Sequence, residues 1–253
     1  MERNFPDPSE DRQAAVPLPI WEPVPDAAAK RCLRWQDFAL AAAGIVLIYA
    51  ALSVLTGVLA SVWMNERGLL YLNAFLTQLS FGGLVLVLGH FRRWTWADFG
   101  WRFIEPGKVW ASVLKLYGMT WIFNVLYVVF LYAHRFTPPM NDAYTQLLTK
   151  ATWPTFLLNL GLAGVLAPVI EETLFRGIIF GALMSYCGKW IAGAISAAMF
   201  SGLHMQAYGF VPRFILGLVL AHLYARYRSL YPAVALHALN NLVATSLLAG
   251  YSP

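Results

Sequence analysis

Charge is scarce in this chain. Lys, Arg, Asp and Glu make up 12% of its 253 residues, against about 25% in typical soluble domains. Apolar residues reach 59%, and the mean hydropathy is +0.57. So few charges cannot coat a water-facing surface, which excludes a soluble globular fold and makes this an all-α, polytopic membrane bundle. High hydrophobicity also excludes disorder for most of the chain. Only two cysteines, Cys32 and Cys187, are present, which excludes a disulfide-stapled secreted fold. The net charge of +5 is modest and fits loop bias in a membrane protein rather than nucleic-acid binding. The first 36 residues contain no apolar run of signal-peptide length. The apolar segment after Asp37 is therefore read as an uncleaved insertion signal.

The organisation follows from runs of about 20 mainly apolar residues, the length that spans a bilayer. Residues 1–36 hold six of the 14 prolines, mixed with acids, and read as a disordered cytoplasmic tail. About seven spans follow, near 38–63, 69–90, 109–133, 154–186, 190–207, 211–225 and 231–249. They divide into N-terminal helices (37–150) and C-terminal helices (151–253). Pro168 lies inside the long fourth span, where a kink or split is expected. The polar link 132–146 is expected to hold a short surface helix. With the N-terminus in the cytoplasm, inside loops carry twelve Lys and Arg and outside loops four. This predicts an N-in, C-out chain. Short loops and the lack of organelle signals point to a prokaryotic plasma membrane.

The two acids beyond Asp142 are adjacent, in VLAPVIEETLFRGIIF (165–180). A carboxylate in hydrocarbon costs several kcal/mol unless paired. Arg176 lies four residues after Glu172, on the same helical face, so the two can form an intrahelical salt bridge. Glu171 points about 100° away. It has no partner on its own helix, and its carboxylate is left available for chemistry. His204 sits on the fifth span and His237 on the seventh, with Asn241 one turn further on. His90 and His134 lie at span ends and read as interfacial, and His222 as structural. If the remaining faces converge, they enclose a polar cavity inside the bundle.

This inventory suits hydrolysis, by either of two routes. Two neutral imidazoles can hold Zn²⁺ with an open position for water, whose pKa zinc lowers toward ~7. His204 and His237 would be the ligands, with Asn241 as a weak third ligand or an oxyanion donor. Alternatively, Glu171 activates water directly, and the histidines and Asn241 polarise the carbonyl. Neither HExxH nor GxSxG occurs, so soluble zincin and serine-elbow chemistries are not implied.

EETLFR (171–176) resembles the EExxxR motif of the CPBP intramembrane proteases, also called the Abi or CAAX-protease and bacteriocin-processing family. FSGLH (200–204) fits that family's FxxxH motif, and HALNN (237–241) fits its HxxxN motif. Each alone is a weak signal; all three in order on three spans is a strong one. WADFGWR (96–102) is similar to a Gly-containing stretch that such proteins often carry before the third span. The resemblance spans residues 171–241 and extends to the core of the type II CAAX prenyl endopeptidases. It implies that Glu171 activates the water, that His204 and His237 are metal ligands or electrophilic partners with Asn241 beside His237, and that Glu172 and Arg176 hold the site together. Phe200 would pack beneath His204. The implied partners are membrane lipid and a membrane-associated or lipidated peptide.

Depth poses a problem for convergence. At ~1.5 Å per residue, His237 lies ~9 Å past the start of its span and His204 ~21 Å past the start of its own. Offset or re-entrant helix ends are required, and Gly188 with Lys189 could form a recessed turn. Two non-protease readings also remain. A proton-coupled carrier would favour an inverted repeat, and none is evident. A scaffold or immunity protein would bind a peptide without cutting it.

Overall fold

The computed structural model describes residues 33–62, 65–136, 143–149 and 151–250. The expected disordered tail lies almost wholly outside these residues. The described residues are helical, without strands: α1 (Trp35–Val62), α2 (Glu66–Arg92), α3 (Trp96–Phe99), α4 (Trp110–Ala133), α5 (Ala143–Leu148), α6 (Trp153–Gly161), α7 (Ala167–Glu172), α8 (Gly181–Gly202), α9 (Ala207–Tyr227) and α10 (Tyr231–Gly250). Two π-helical stretches, Leu162–Leu166 and Thr173–Phe180, join α6, α7 and α8.

Among the described residues, six helices are long and apolar enough to cross a membrane, and the fourth of them runs for 50 residues, Trp153–Gly202. This is not one rod. Gly188 has φ 73° and ψ 166°, a conformation that costs only glycine nothing. The chain folds back there: Ser196 Oγ donates to the Phe175 carbonyl at 2.9 Å, and Gly193 lies against Phe180. The two arms are the fourth and fifth spans read from the sequence. The expected break at Pro168 is instead a widened turn. The Ala167 N–H bonds back to Leu162, so the helix continues past a residue that cannot donate.

The stretch Thr173–Phe180 is buried at every residue and forms the axis of the bundle. Phe175, Phe180, Phe200 and Tyr224 pack with Ile178, Ile179 and Leu183 into the core around it. Helices pack in lipid by close van der Waals approach at small residues. Gly193 and Ala197 on α8 face Ala221 and Gly217 on α9. A Cβ on Gly217 would come 2.7 Å from that of Ala197.

The segment 95–102 docks against the same axis. Thr95 and Asp98 form a capping box for α3, and Gly100, at φ 103°, ends it. Trp101 Nε1 donates to Thr173 Oγ1 at 3.1 Å. This segment also resolves the depth problem. The Leu230 N–H donates to the Gly100 carbonyl at 2.8 Å, and Ser229 Oγ donates to that of Arg102 at 2.7 Å. Ser229 and Leu230 are fully buried, so α10 begins inside the bundle and His237 starts deep. Glu172 and His204 lie sixteen residues either side of Gly188, so the hairpin sets them level. One boundary differs from expectation. α8 ends at Gly202, and His204 stands in the turn that follows, its N–H bonded to the Ser201 carbonyl at 3.2 Å.

A Cβ at Gly177 would lie 2.7 Å from the Phe99 carbonyl oxygen, a backbone atom that cannot swing aside. Gly177→Ala should therefore lower stability by about 1–3 kcal/mol. Gly57→Ala, which meets nothing within 4 Å, should leave it unchanged or raise it. Thermal unfolding of both variants in one detergent checks the contrast.

Candidate active site

The end of α7 and the π-helical axis that follows carry Glu171, Glu172 and Arg176 into the middle of the bundle, where Glu172 and Arg176 are fully buried. Arg176 Nη1 donates to Glu172 Oε1 at 2.9 Å, the intrahelical pair that the four-residue spacing predicts. Arg176 Nη2 donates to the Gly217 carbonyl at 3.1 Å. Its guanidinium lies 4.7 Å from the Phe200 ring centroid, a cation–π contact. His237 Nδ1 lies 2.8 Å from the same Glu172 Oε1. Glu172 thus receives one donor from its own helix and one from α10. Glu172 Oε2 and Arg176 Nε have no hydrogen-bond partner among the described residues.

Glu171 faces elsewhere, as its position in the helix requires. It borders a cavity of ≈ 240 Å³ between α1, α2, α6 and the axis, shared with Tyr49, Gln78, Phe200, His204 and Asn241. Its Oε1 accepts a hydrogen bond from Gln78 Nε2 at 2.8 Å. Its Oε2 lies 3.8 Å from His237 Nε2, beyond hydrogen-bond range. A second cavity of ≈ 220 Å³ lies on the far side of Phe200, bordered by His204, His237, Asn241, Asn240, Asn124 and Arg213. Phe200, His204 and Asn241 form the wall common to both. Phe200 stacks edge-on to His204 and His237, with centroids 5.1 and 5.4 Å away. It lies under both imidazoles.

His204 Nδ1 lies 2.8 Å from the Phe200 carbonyl. An acceptor there fixes the proton on Nδ1 and leaves the Nε2 lone pair open. The turn that holds His204 is tied to α1, whose Tyr49 hydroxyl donates to the Leu203 carbonyl at 2.8 Å. Asn241 Nδ2 donates to the Ala163 carbonyl at 2.8 Å, which accounts for one of its two amide protons. All six residues singled out in the sequence therefore gather around one wall. Glu171 is on one side of it, and the Glu172–Arg176–His237 cluster lies behind.

A structural zinc site needs four ligands, and a catalytic one three with an open position. Among the described residues, no three or more His, Cys, Asp or Glu side chains lie together as metal ligands would. Asn241 Oδ1, the atom that would bind a metal, already accepts from Asn240 Nδ2 at 3.3 Å. The described residues do not form a closed zinc site.

Three contributors escape the sequence patterns. Gln78 is an uncharged amide within an apolar span, a signal that often marks an interhelical hydrogen bond. Tyr49 is one aromatic among many on α1 and carried no such signal. Asn159, buried on α6, donates to the Leu147 carbonyl at 3.0 Å. Tyr71 and Arg67 donate to that same carbonyl. Leu147 and Leu148 of α5 border the Glu171 cavity; the short surface helix expected in the 132–146 link lies at its end and runs beyond it, with Leu148 buried rather than at the surface.

Residues 153–243 match the family described as type II CAAX prenyl endopeptidase Rce1-like. An uncharacterised 24.3 kDa protein of Escherichia coli is 32% identical over 145 residues, 54% of this chain and 66% of that protein. YdiL of Bacillus subtilis (strain 168), named as a candidate membrane peptidase, is 32% identical over 79 residues, 31% of this chain and 32% of its own length. The chain thus spans less than two thirds of the length of each. No solved structure matches. The family match starts at α6 and contains every motif residue, while Tyr49 and Gln78 lie outside it.

Removing one partner from a buried ion cluster leaves the other charge uncompensated, at a cost of about 3–5 kcal/mol. Arg176→Met should destabilise the protein by that order. The double variant Arg176→Met, Glu172→Met should recover much of the loss. Thermal unfolding of the single and double variants tests this coupling.

Proposed function

We propose that this chain is an intramembrane endopeptidase, which hydrolyses a peptide bond of a membrane-associated or lipidated protein with water activated by Glu171. The observation that carries the proposal is the division of labour between adjacent carboxylates. Glu172 is consumed by Arg176 and His237, while Glu171 opens onto a cavity shared with His204 and Asn241. The match to an endopeptidase family over 153–243 supports the same reading. The membrane setting supplies the substrate class.

In the reaction we infer, Glu171 and the open Nε2 of His204 hold a water molecule between them. Glu171 takes a proton from it as the oxygen attacks the scissile carbonyl carbon. The carbonyl oxygen gains negative charge, and donors at the common wall and just behind it stabilise it. These are the second amide proton of Asn241 and a proton on His237 Nε2. Collapse of the tetrahedral intermediate breaks the C–N bond, and Glu171 passes its proton to the departing amine. Leu147 and Leu148 border the same cavity. We further propose an N-in, C-out orientation in a prokaryotic plasma membrane, on the excess of Lys and Arg in loops on the N-terminal side.

The test is cleavage of a fluorogenic membrane-peptide library by purified, detergent-solubilised protein. Glu171→Gln, His204→Ala and His237→Ala should each lower turnover by about 10²–10⁴-fold, with Glu171→Gln and His204→Ala still folded by thermal unfolding. Full turnover in all three variants would overturn the reading. Chelation should leave cleavage intact. Loss on chelation, restored by zinc, would reassign His204 and His237 as metal ligands.

A further inference from the structure

Gln78 lies on α2, outside the family match and outside every motif, yet it makes the hydrogen bond to the carboxylate assigned as base. Its Nε2 is 2.8 Å from Glu171 Oε1. Its own Oε1 is sealed from solvent and has no hydrogen-bond partner among the described residues. That orphan fixes the sense of the amide, because a carboxylate accepts and only the NH₂ end can donate. It also counts against a packing role. A buried, unpaired carbonyl is unfavourable, and Leu or Met would fill the same position on this apolar helix without that loss.

The bond divides the two oxygens of Glu171. Oε1 is held by Gln78 and turned toward α2. Oε2 is left on the side of His237, whose Nε2 is 3.8 Å away. Gln78 and Glu171 border the same cavity as His204. A carboxylate with one oxygen tethered has a single orientation for its remaining lone pairs. A free Glu side chain would instead sample several rotamers and lose alignment with the attacking water.

We propose that Gln78 is a positioning residue that orients the Glu171 carboxylate, so that the N-terminal helices complete the reactive geometry that the C-terminal motifs begin. The inference rests on the protease reading for its consequence in turnover, and on the hydrogen bond alone for its spectroscopic consequence. Gln78→Met keeps the side-chain volume and removes the donor.

Two measurements on the full chain in detergent test it. In infrared difference spectra, the carboxylate stretch that Glu171→Gln removes should shift in Gln78→Met. In the cleavage assay, Gln78→Met should lower kcat by about 10–100-fold, with KM within about twofold and the unfolding temperature nearly unchanged. An unshifted band overturns the inference whether or not the protein cleaves. A shifted band with kcat retained, or with only KM raised, also overturns it, while leaving the protease reading in place. If the native protein cleaves nothing, the protease reading fails, and the shifted band still supports Gln78 as the residue that orients Glu171.

Discussion

A guanidinium buried in a membrane bundle must be matched on several sides at once, and the arrangement around Arg176 follows from that demand. Glu172 supplies the counter-charge from the preceding turn, Gly217 a backbone carbonyl, and Phe200 an aromatic face. His237 adds a second donor to Glu172. These groups come from the central helix, α8, α9 and α10. The cluster therefore fixes four rods relative to one another, in a setting where hydrophobic burial between helices provides little drive. The Gly–Ala contacts between α8 and α9 let the backbone of α9 come near enough for the Gly217 carbonyl to reach Arg176.

Once Glu172 is committed, its neighbour is free to do something else. Adjacent residues on a helix point about 100° apart, so Glu171 is delivered to a different side, against α1 and α2. The energetic cost of burying a second carboxylate is met partly by Gln78. The same helical step that separates the two acids separates their work. One ties helices of the bundle together, and the other faces a cavity bordered by an imidazole whose Nε2 is open. Catalytic groups of matched function commonly need such separated environments.

Convergence of the three motifs depends on features that carry no chemistry of their own. Gly188 reverses the chain midway between Glu172 and His204. The Ser229–Leu230 turn is drawn inward by Gly100 and Arg102, which starts α10 deep enough for His237 to meet Glu172. The π-helical stretches carry the axis past Pro168 and widen it around Arg176. π-turns often occur at functional sites for this reason, since they shift side chains off the regular α-helical phase.

Much of the fold was legible because hydrocarbon imposes simple rules. Apolar length gave the spans, including the two arms that Gly188 folds against each other, and the fourfold spacing gave the Glu172–Arg176 pair. The isolation of Glu171 on its own helix was legible for the same reason. What could not be read was which other helix would answer each polar group. Gln78 is 93 residues from Glu171 in sequence, and Tyr49 is 154 from Leu203. No periodicity links such positions. The depth of His237 was likewise hidden, because it depends on two hydrogen bonds from a turn to a distant segment. Local spacing and hydrophobicity therefore determined the helices and the pairs within a helix. Tertiary structure decided register, depth and cross-helix partners, because these depend on how complete helices pack against one another.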